Sequence, residues 1–542
     1  MDDYLSMTMT ESNDILRNYK KLLKWGVLLV AIAIYANTAN HEMALDDYSV
    51  IETHTHVQNG IDGIGEILTT NYRHGNNAFN DGLYRPLSLV SFALEKEFFD
   101  SNTSISHLLN LLIYGFSCFF LFLALEKLLH HKALIIPLSA ALLFVCHPLH
   151  TEIVSNIKGR DELLAFLGFT LCLFYLIKTI DSNKLIHYVC SILFFVLALF
   201  SKESAVTYAL AIPVLLLLKK EVTLIKAFSQ FLLLIPFALG FIALRYLIIN
   251  GMSNPIDSGN FGLLNNPIAA SADTSLKWGS TFALQVTFLQ KTFFPLELIH
   301  DYSYHQLPLV RLISTQSILG ILILLGLIIS SIIAVIKRNV FGIIAAFYLI
   351  AILVASQIFA TIGIQFAERM LFLAVLAFAL LLPLSIEKLL TKSKVLLSSK
   401  NQKTIAYIML GIGVLFSLKT FDRNKAWKNN LSLYQADITS GSNSARVNYN
   451  LGTELNEQAQ VSQNTAQKKQ YLDLSIQYLS KAIDIYPEYL DAYNNLGLAY
   501  KNARRYSKSH HAFLNGIKKD PNYSKYYFNL ATVYYAEKNI KR

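Results

Sequence analysis

Charge is scarce in this sequence: of 542 residues only 15% are Asp, Glu, Lys or Arg, while 53% are hydrophobic. Soluble proteins carry roughly a quarter charged residues. The shortfall excludes a soluble globular enzyme. Apolar runs of about 15 to 25 residues recur from Leu22 onward, near the length that crosses a hydrocarbon layer roughly 30 Å thick. Cysteine is scarce too, with Cys118, Cys146, Cys172 and Cys190 all in apolar segments. Neither a disulfide framework nor a zinc spacing is written in them. No extended basic stripe is present: the formal charge of +10 is spread over short Lys/Arg clusters between apolar runs. That pattern speaks against nucleic acid and for membrane topology.

The first run, Leu22 to about Ala36, follows a polar head with Arg17, Lys20, Lys21 and Lys24, and no small-residue cleavage site succeeds it. It reads as a signal anchor. Further runs lie near 106–128, 133–148, 162–178, 185–200, 204–218, 225–249, 312–336, 340–361, 368–387 and 404–419, which predicts about eleven spans. The stretch 276–294 is broken by Lys277, Gln285, Gln290 and Lys291 and reads as re-entrant or interfacial. With that stretch not crossing, the lysine-rich connections at 127–132, 178–184, 219–226, 337–338 and 388–403 all fall on the cytoplasmic side with the N-terminus.

After Lys419 the hydrophobic runs stop. A period of 34 appears, in which Pro487, Tyr493, Leu496 and Tyr500 return as Pro521, Tyr527, Leu530 and Tyr534. These are tetratricopeptide-repeat offsets. The expected organisation is an all-α polytopic membrane domain over 1–420, whose outer loop 39–105 carries an acidic pair, followed by a tetratricopeptide α-solenoid over 421–542 on the non-cytoplasmic side.

The same topology sorts the polar residues. Asp46 and Asp47, Arg85, His147, His150, Glu152, Lys158, Arg160, Lys202, Glu203, Asp301 and Arg369 all fall at non-cytoplasmic helix ends. Charges near membrane depth are costly and are kept for function, so this convergence predicts a site at that interface. A carboxylate of the acidic pair can accept a hydroxyl proton, although an acidic pair is by itself a weak motif that also suits a solvated turn. Arg85, Lys158, Arg160, Lys202 and Arg369 together suit a phosphate whose charge rises as it leaves, and taken singly each also suits a helix cap or a lipid headgroup. His54/His56 and His147/His150 lack the context a metal site needs. No metal ligand set or cofactor is specified, and a divalent ion stays open. Asn450, Asn495 and Asn529 precede the motif leucines of successive repeats; their amides suit an extended peptide backbone, and Asn is also common there without one.

The ordered motifs carry a family resemblance. Tyr84-Arg85-Pro86-Leu87, His107 to Leu112, Cys146-His147-Pro148-Leu149-His150-Thr151-Glu152, Gly159-Arg160, Ser201-Lys202-Glu203, Ala367-Glu368-Arg369 and Arg423 with Trp427 follow the acidic pair in order. This series resembles the transmembrane and tetratricopeptide-repeat-containing O-mannosyltransferases, of the C-type glycosyltransferase group, with a repeat array shorter than in the animal members. The resemblance implies a glycosyltransferase that moves a mannose-like sugar from a polyprenyl or dolichyl phosphate to a Ser/Thr hydroxyl of a protein or peptide. It implies inversion, with Asp46 or Asp47 as catalytic base; Arg85, Lys158, Arg160, Lys202 and Arg369 then bind the donor phosphate, and His147, His150, Glu152, Glu203 and Asp301 orient substrate. The expected location is a bacterial inner membrane, or the endoplasmic reticulum if eukaryotic, with the repeats periplasmic or lumenal. The competing reading is a non-catalytic membrane scaffold that recruits partners through its repeats. A transporter needs ionisable groups at mid-span, and here they gather at the ends.

Overall fold

The computed structural model describes residues 22–76, 82–251, 262–391 and 397–540, and among these the chain forms helices and turns without strands. Arg17, Lys20 and Lys21 of the polar head, and part of the 388–403 lysine cluster, lie outside the described residues. Helix α1 (Leu22–Thr38) is followed by the outer loop and α2 (Pro86–Phe99), and then by α3 (Thr103–Leu128), α4 (Ile135–Cys146), α5 (Arg160–Ser182), α6 (Leu185–Ser201), α7 (Tyr208–Leu216) and α8 (Leu224–Asn250). After them come α9 (Thr274–Phe293), α10 (Thr315–Lys337), α11 (Val340–Ala351), α12 (Val375–Leu390) and α13 (Ser399–Asn424).

The helices begin where a side chain can satisfy the first free N–H groups. Asn102, Thr223, Ser314, Asn339 and Ser398 accept backbone N–H bonds at the starts of α3, α8, α10, α11 and α13, the usual N-cap arrangement. Apolar side chains do the rest. The most apolar stretch of α5 is 72% buried inside the protein and that of α3 61%, against 22% for α8 and α10 and 17% for α13. The bundle is therefore centred on α3 and α5, while α8, α10 and α13 present their apolar faces outward, as helices against lipid do.

Not all of the eleven expected runs form long helices. Among the described residues, five helices are long and apolar enough to cross a membrane, six if the bent pair Ile135–Cys146 and Pro148–Ser155 is one span. The runs at 22–38, 185–201, 203–216 and 340–351 form apolar helices that are shorter. The cause is local chain chemistry. Pro148 has no N–H to continue α4, and the pair bends there by 48°. The run from 340 stops at Ala351, and a non-helical stretch with Gln357 at φ +56° leads to Glu368. The interrupted stretch at 276–294 is a helix, α9, that packs against α10.

The cationic connections meet at one end of the bundle. Lys127 and Lys219 both pair with Asp181, at 3.7 and 3.0 Å, Lys132 pairs with Glu387 at 2.7 Å, and Arg338 donates to the carbonyls of Lys220 and Val222. Beyond α13, helices α14 (Asn430–Asp437), α15 (Ala445–Val461), α16 (Thr465–Ile485), α17 (Leu490–Asn502), α18 (Tyr506–Lys519) and α19 (Ser524–Ile540) each pack on the next. Gly452 lies against Leu479, Gly497 against Phe513 and Gly516 against Tyr526, so a small residue on one helix receives a large one from a following helix. The array docks on the bundle. The Leu45 N–H donates to Asn430 at 2.8 Å, the Ala445 N–H to the Tyr304 carbonyl at 2.7 Å, and Trp427 is buried with Ala44, Leu433 and Leu451.

Candidate active site

The acidic pair divides into two unlike carboxylates. Leu45 sits at φ +53°, a conformation that costs a non-glycine residue about 1 kcal/mol or more and that gathers at functional positions. Just past this bend Asp47 turns inward. It is fully buried, and its carboxylate accepts the backbone N–H groups of Ala44 (3.0 Å), Lys158 (2.7 Å) and Ile157 (3.4 Å). Burial pushes its carboxyl up to about 7; the three N–H donors oppose the rise and neighbouring Asp46 adds to it. Asp47 thus ties the outer loop to the start of α5 and has no open face.

Asp46 turns outward. Its side chain is 46% exposed and meets Arg73 at 3.2 Å and Lys158 at 3.9 Å. Its burial alone would raise the carboxyl, but Lys158, Arg73 and Arg369 outweigh that and hold it at about 2. Arg73 lies in the Asn- and His-rich loop and carries no motif, so nothing in the sequence marked it. Its loop is pinned from both sides: Asn76 donates to the Ser49 carbonyl, and His74 and His56 share a 2.9 Å hydrogen bond.

Behind Asp46 the scattered cations and carboxylates of the sequence come together. Asp161 receives Arg85 at 2.5 Å, Lys158 at 3.8 Å and Lys202 at 3.9 Å. Arg85 also holds Glu203 at 2.8 Å, and Glu203 accepts the Tyr84 N–H at 2.8 Å; Lys202 reaches Glu162 at 2.5 Å. Arg369 pairs with Glu152. These residues come from the loop after α1, the segment after the α4 bend, the start of α5, the end of α6 and the segment before α12, so the wall is assembled from parts far apart in the chain.

Two hollows lie against this wall. The larger, about 340 Å³, is lined by Asp46, Arg369, Asn265, His300, Asp301, Arg446, Tyr434 and Asn450, and so lies between the bundle and the first helices of the array. The smaller, about 30 Å³, runs past Asp46, Lys158, Asp161, Lys202, Glu152 and Arg369. Leu45, Asp46 and Arg369 line both. In the larger hollow, Asp301 accepts Arg446 at 3.3 Å and the Ser303 N–H at 2.8 Å. Burial would raise the Asp301 carboxyl, but Arg446 and His300 draw it below its usual range. His300 holds Asp437 through Nδ1 at 2.5 Å, and Arg423 meets the same carboxylate at 2.6 Å. No sequence motif linked His300 to Asp437, which are 137 residues apart.

Other expected site residues lie elsewhere. Arg160 turns away from the wall. It is 1% exposed, pairs with Glu95, donates to the Asn110 side chain at 2.8 Å and lies over the Phe92 ring. His147 donates through Nε2 to the Thr292 carbonyl at 2.9 Å and accepts the Leu149 N–H through Nδ1 at 3.3 Å. His150 meets the Tyr114 hydroxyl at 3.0 Å within a nest of Phe144 and Phe372. Both imidazoles are fully buried and lock the bend after α4. Asn450 lines the larger hollow, but the Asn495 amide donates to Tyr449 and Thr453, and that of Asn529 to Asn494. Those two amides bond neighbouring helices to one another. Among the described residues no group of three or more His, Cys, Asp or Glu side chains converges as a metal site would.

No protein-family model matches the chain. Among curated proteins it is similar to a protein O-mannosyl-transferase of Caenorhabditis elegans, at 25% identity over 434 residues covering 79% of this chain and 59% of that protein. It is also similar to the human protein O-mannosyl-transferases TMTC3, at 24% identity covering 80% of this chain and 48% of the relative, and TMTC4, at 26% identity covering 80% and 64%. The chain thus spans between about half and just under two thirds of the length of these relatives.

Proposed function

We propose that this chain, which belongs to the transmembrane and tetratricopeptide-repeat-containing protein O-mannosyl-transferases, is a membrane glycosyltransferase that moves a mannose-like sugar from a polyprenyl or dolichyl phosphate to a Ser or Thr hydroxyl on the non-cytoplasmic face. The observation that carries this is the placement of Asp46: one ionised, accessible carboxylate at the mouth of a cation-lined hollow where the bundle meets the helical array.

The chemistry follows from that placement. The hydroxyl oxygen attacks the anomeric carbon from the face opposite the phosphate, the carbon–oxygen bond to the phosphate breaks, and the hydroxyl proton passes to Asp46. Back-side attack inverts the anomeric centre. Arg369, Lys158 and Lys202 take the growing charge on the departing phosphate, and stabilisation that increases along the reaction is what lowers its barrier. Arg85 lies deeper, clamped between Asp161 and Glu203, and orders the wall from behind. Arg446, Asp301 and Asn450 face the acceptor side of the larger hollow. Asp47 and Arg160 hold structure, and neither touches substrate in this mechanism.

The lysine-rich connections gather at the other end of the bundle, which supports a cytoplasmic end there and the site with its array on the opposite face. The test is transfer of labelled mannose from dolichyl or polyprenyl phosphomannose to protein by the purified full chain in lipid nanodiscs. Transfer by wild type with loss in Arg369→Gln supports the proposal; wild type without transfer from either donor defeats it.

A further inference from the structure

The charges of the site wall close on one another. Among the described residues, the cations Arg73, Arg85, Lys158, Lys202 and Arg369 are each in an ion pair, and their partners are the five carboxylates Asp46, Asp161, Glu162, Glu203 and Glu152. A phosphate entering this wall adds a negative charge where each of these cations already has a carboxylate partner. Burying an unpaired charge costs several kcal/mol, so an internal pair has to open.

Geometry selects which one. The Arg85–Asp161 pair is tight and closed, at 2.5 Å with side chains 10% and 2% exposed, and Lys202–Glu162 is also at 2.5 Å and largely covered. The contacts of Asp46 are longer, at 3.2 and 3.9 Å, and Asp46 is the most exposed of the five carboxylates. It also lies on both hollows beside Arg369.

Resting on the glycosyl-transfer reading above, we propose that in the unliganded chain the Asp46 carboxylate occupies the cation seat formed by Arg73 and Lys158, that the donor phosphate displaces it, and that this exchange releases Asp46 to act as base. The exchange makes and breaks no covalent bond: one anion replaces another on the same cations. Before it, those cations keep the carboxylate strongly acidic and a poor acceptor for a hydroxyl proton. After it, Asp46 faces the hollow without its former partners and accepts the proton as the new glycosidic bond forms and the sugar–phosphate bond breaks. Polyprenyl phosphate then leaves, Asp46 gives its proton to water and returns to Arg73 and Lys158. Hydroxyl activation is thereby confined to the donor-bound state, and Arg73 becomes a donor-binding residue that also holds the base in check before the donor arrives.

The exchange predicts competition that a binding measurement can read without turnover. In neutral phosphatidylcholine nanodiscs, the full-length Asp46→Asn variant should bind polyprenyl phosphate at least about fivefold more tightly than wild type, a typical magnitude for coupled sites. Equal or weaker binding by a folded Asp46→Asn chain overturns the exchange. A second variant reads the same contact through catalysis. Arg73→Gln should transfer sugar with the acid limb of its kcat/KM profile, which reports the donor-free chain, moved up by about one pH unit, as loss of one close opposite charge does; an unmoved kcat/KM limb overturns the role of Arg73. The groups facing Asp46 in that titration are Arg73, Lys158, Arg369 and the adjoining Asp47. If wild type binds donor and transfers sugar while these variants do not respond, displacement alone fails. If wild type transfers nothing, the glycosyl-transfer reading fails and the exchange falls with it.

Discussion

Asp46 and Asp47 are neighbours of identical chemistry, and their environments give them different work. Asp47 accepts three backbone N–H groups from two segments. In Asp47→Ala those donors lose their acceptor, at about 1–3 kcal/mol for each one stranded, so thermal unfolding of the detergent-solubilised chain should move to lower temperature. Asp46→Ala, which strands no backbone donor and removes a partly exposed carboxylate from its cations, should move that transition less. Arg160 and Arg369 make the same point with cations. Both follow motif residues at helix starts, yet Arg160 is 1% exposed against Glu95 while the side chain of Arg369 is 33% exposed on both hollows. Arg160→Met strands the buried Glu95 carboxylate and should cost about 3–5 kcal/mol of stability, as breaking one half of a buried pair does. Recovery of wild-type melting behaviour in Arg160→Met would contradict that role. Sequence alone put both arginines at helix ends on one face, but which way a side chain leaves its helix depends on partners such as Glu95, 65 residues away. Arg73 was illegible for a related reason. Its only signal was a loop position, and its role comes from the fold bringing that loop back over Asp46.

At the scale of elements, apolar periodicity placed helices under every run, and the ends of those helices depended on chemistry the runs do not display. Pro148 breaks the run after α4, and the stretch beyond Ala351 leaves helix altogether. Both breaks supply residues near the site, Glu152 from the first and Arg369 from the second. The interrupted helix α9 stayed ambiguous because Lys277, Gln285 and Lys291 weaken its apolar signal, although it packs closely on α10. A Cβ on Gly320 would lie 1.9 Å from the Phe282 carbonyl oxygen, and nothing lies within 4 Å of one on Gly326. Small residues let membrane helices approach in this way. Gly320→Ala should therefore lower stability by about 1–3 kcal/mol through forced separation of α9 and α10, whereas Gly326→Ala on the same helix should not. Comparing the two by thermal unfolding in detergent checks the contact; equal effects would contradict it.

For the whole molecule, the scarcity of charge proved informative through its distribution. Cations and carboxylates from five segments form one wall around Asp46 and Asp161, while the lysines of the connecting turns meet at the other end of the bundle. Positive-inside counting anticipated that separation, because it depends on alternation along the chain and needs no tertiary contact. It gave no access to the pairing itself, in which each cation of the wall meets a carboxylate. The hollow between bundle and array was equally hidden, since Arg446, His300 and Asn450 reach it through docking of helices that share no motif. The measurement that tests the account most directly is single-turnover sugar transfer from polyprenyl phosphomannose to an acceptor protein in nanodiscs, comparing wild type with folded Asp46→Asn. Wild type should transfer sugar, and the variant should do so at a rate lower by about 10²–10⁴-fold, the usual contribution of a positioned general base. Transfer by Asp46→Asn at the wild-type rate would contradict it.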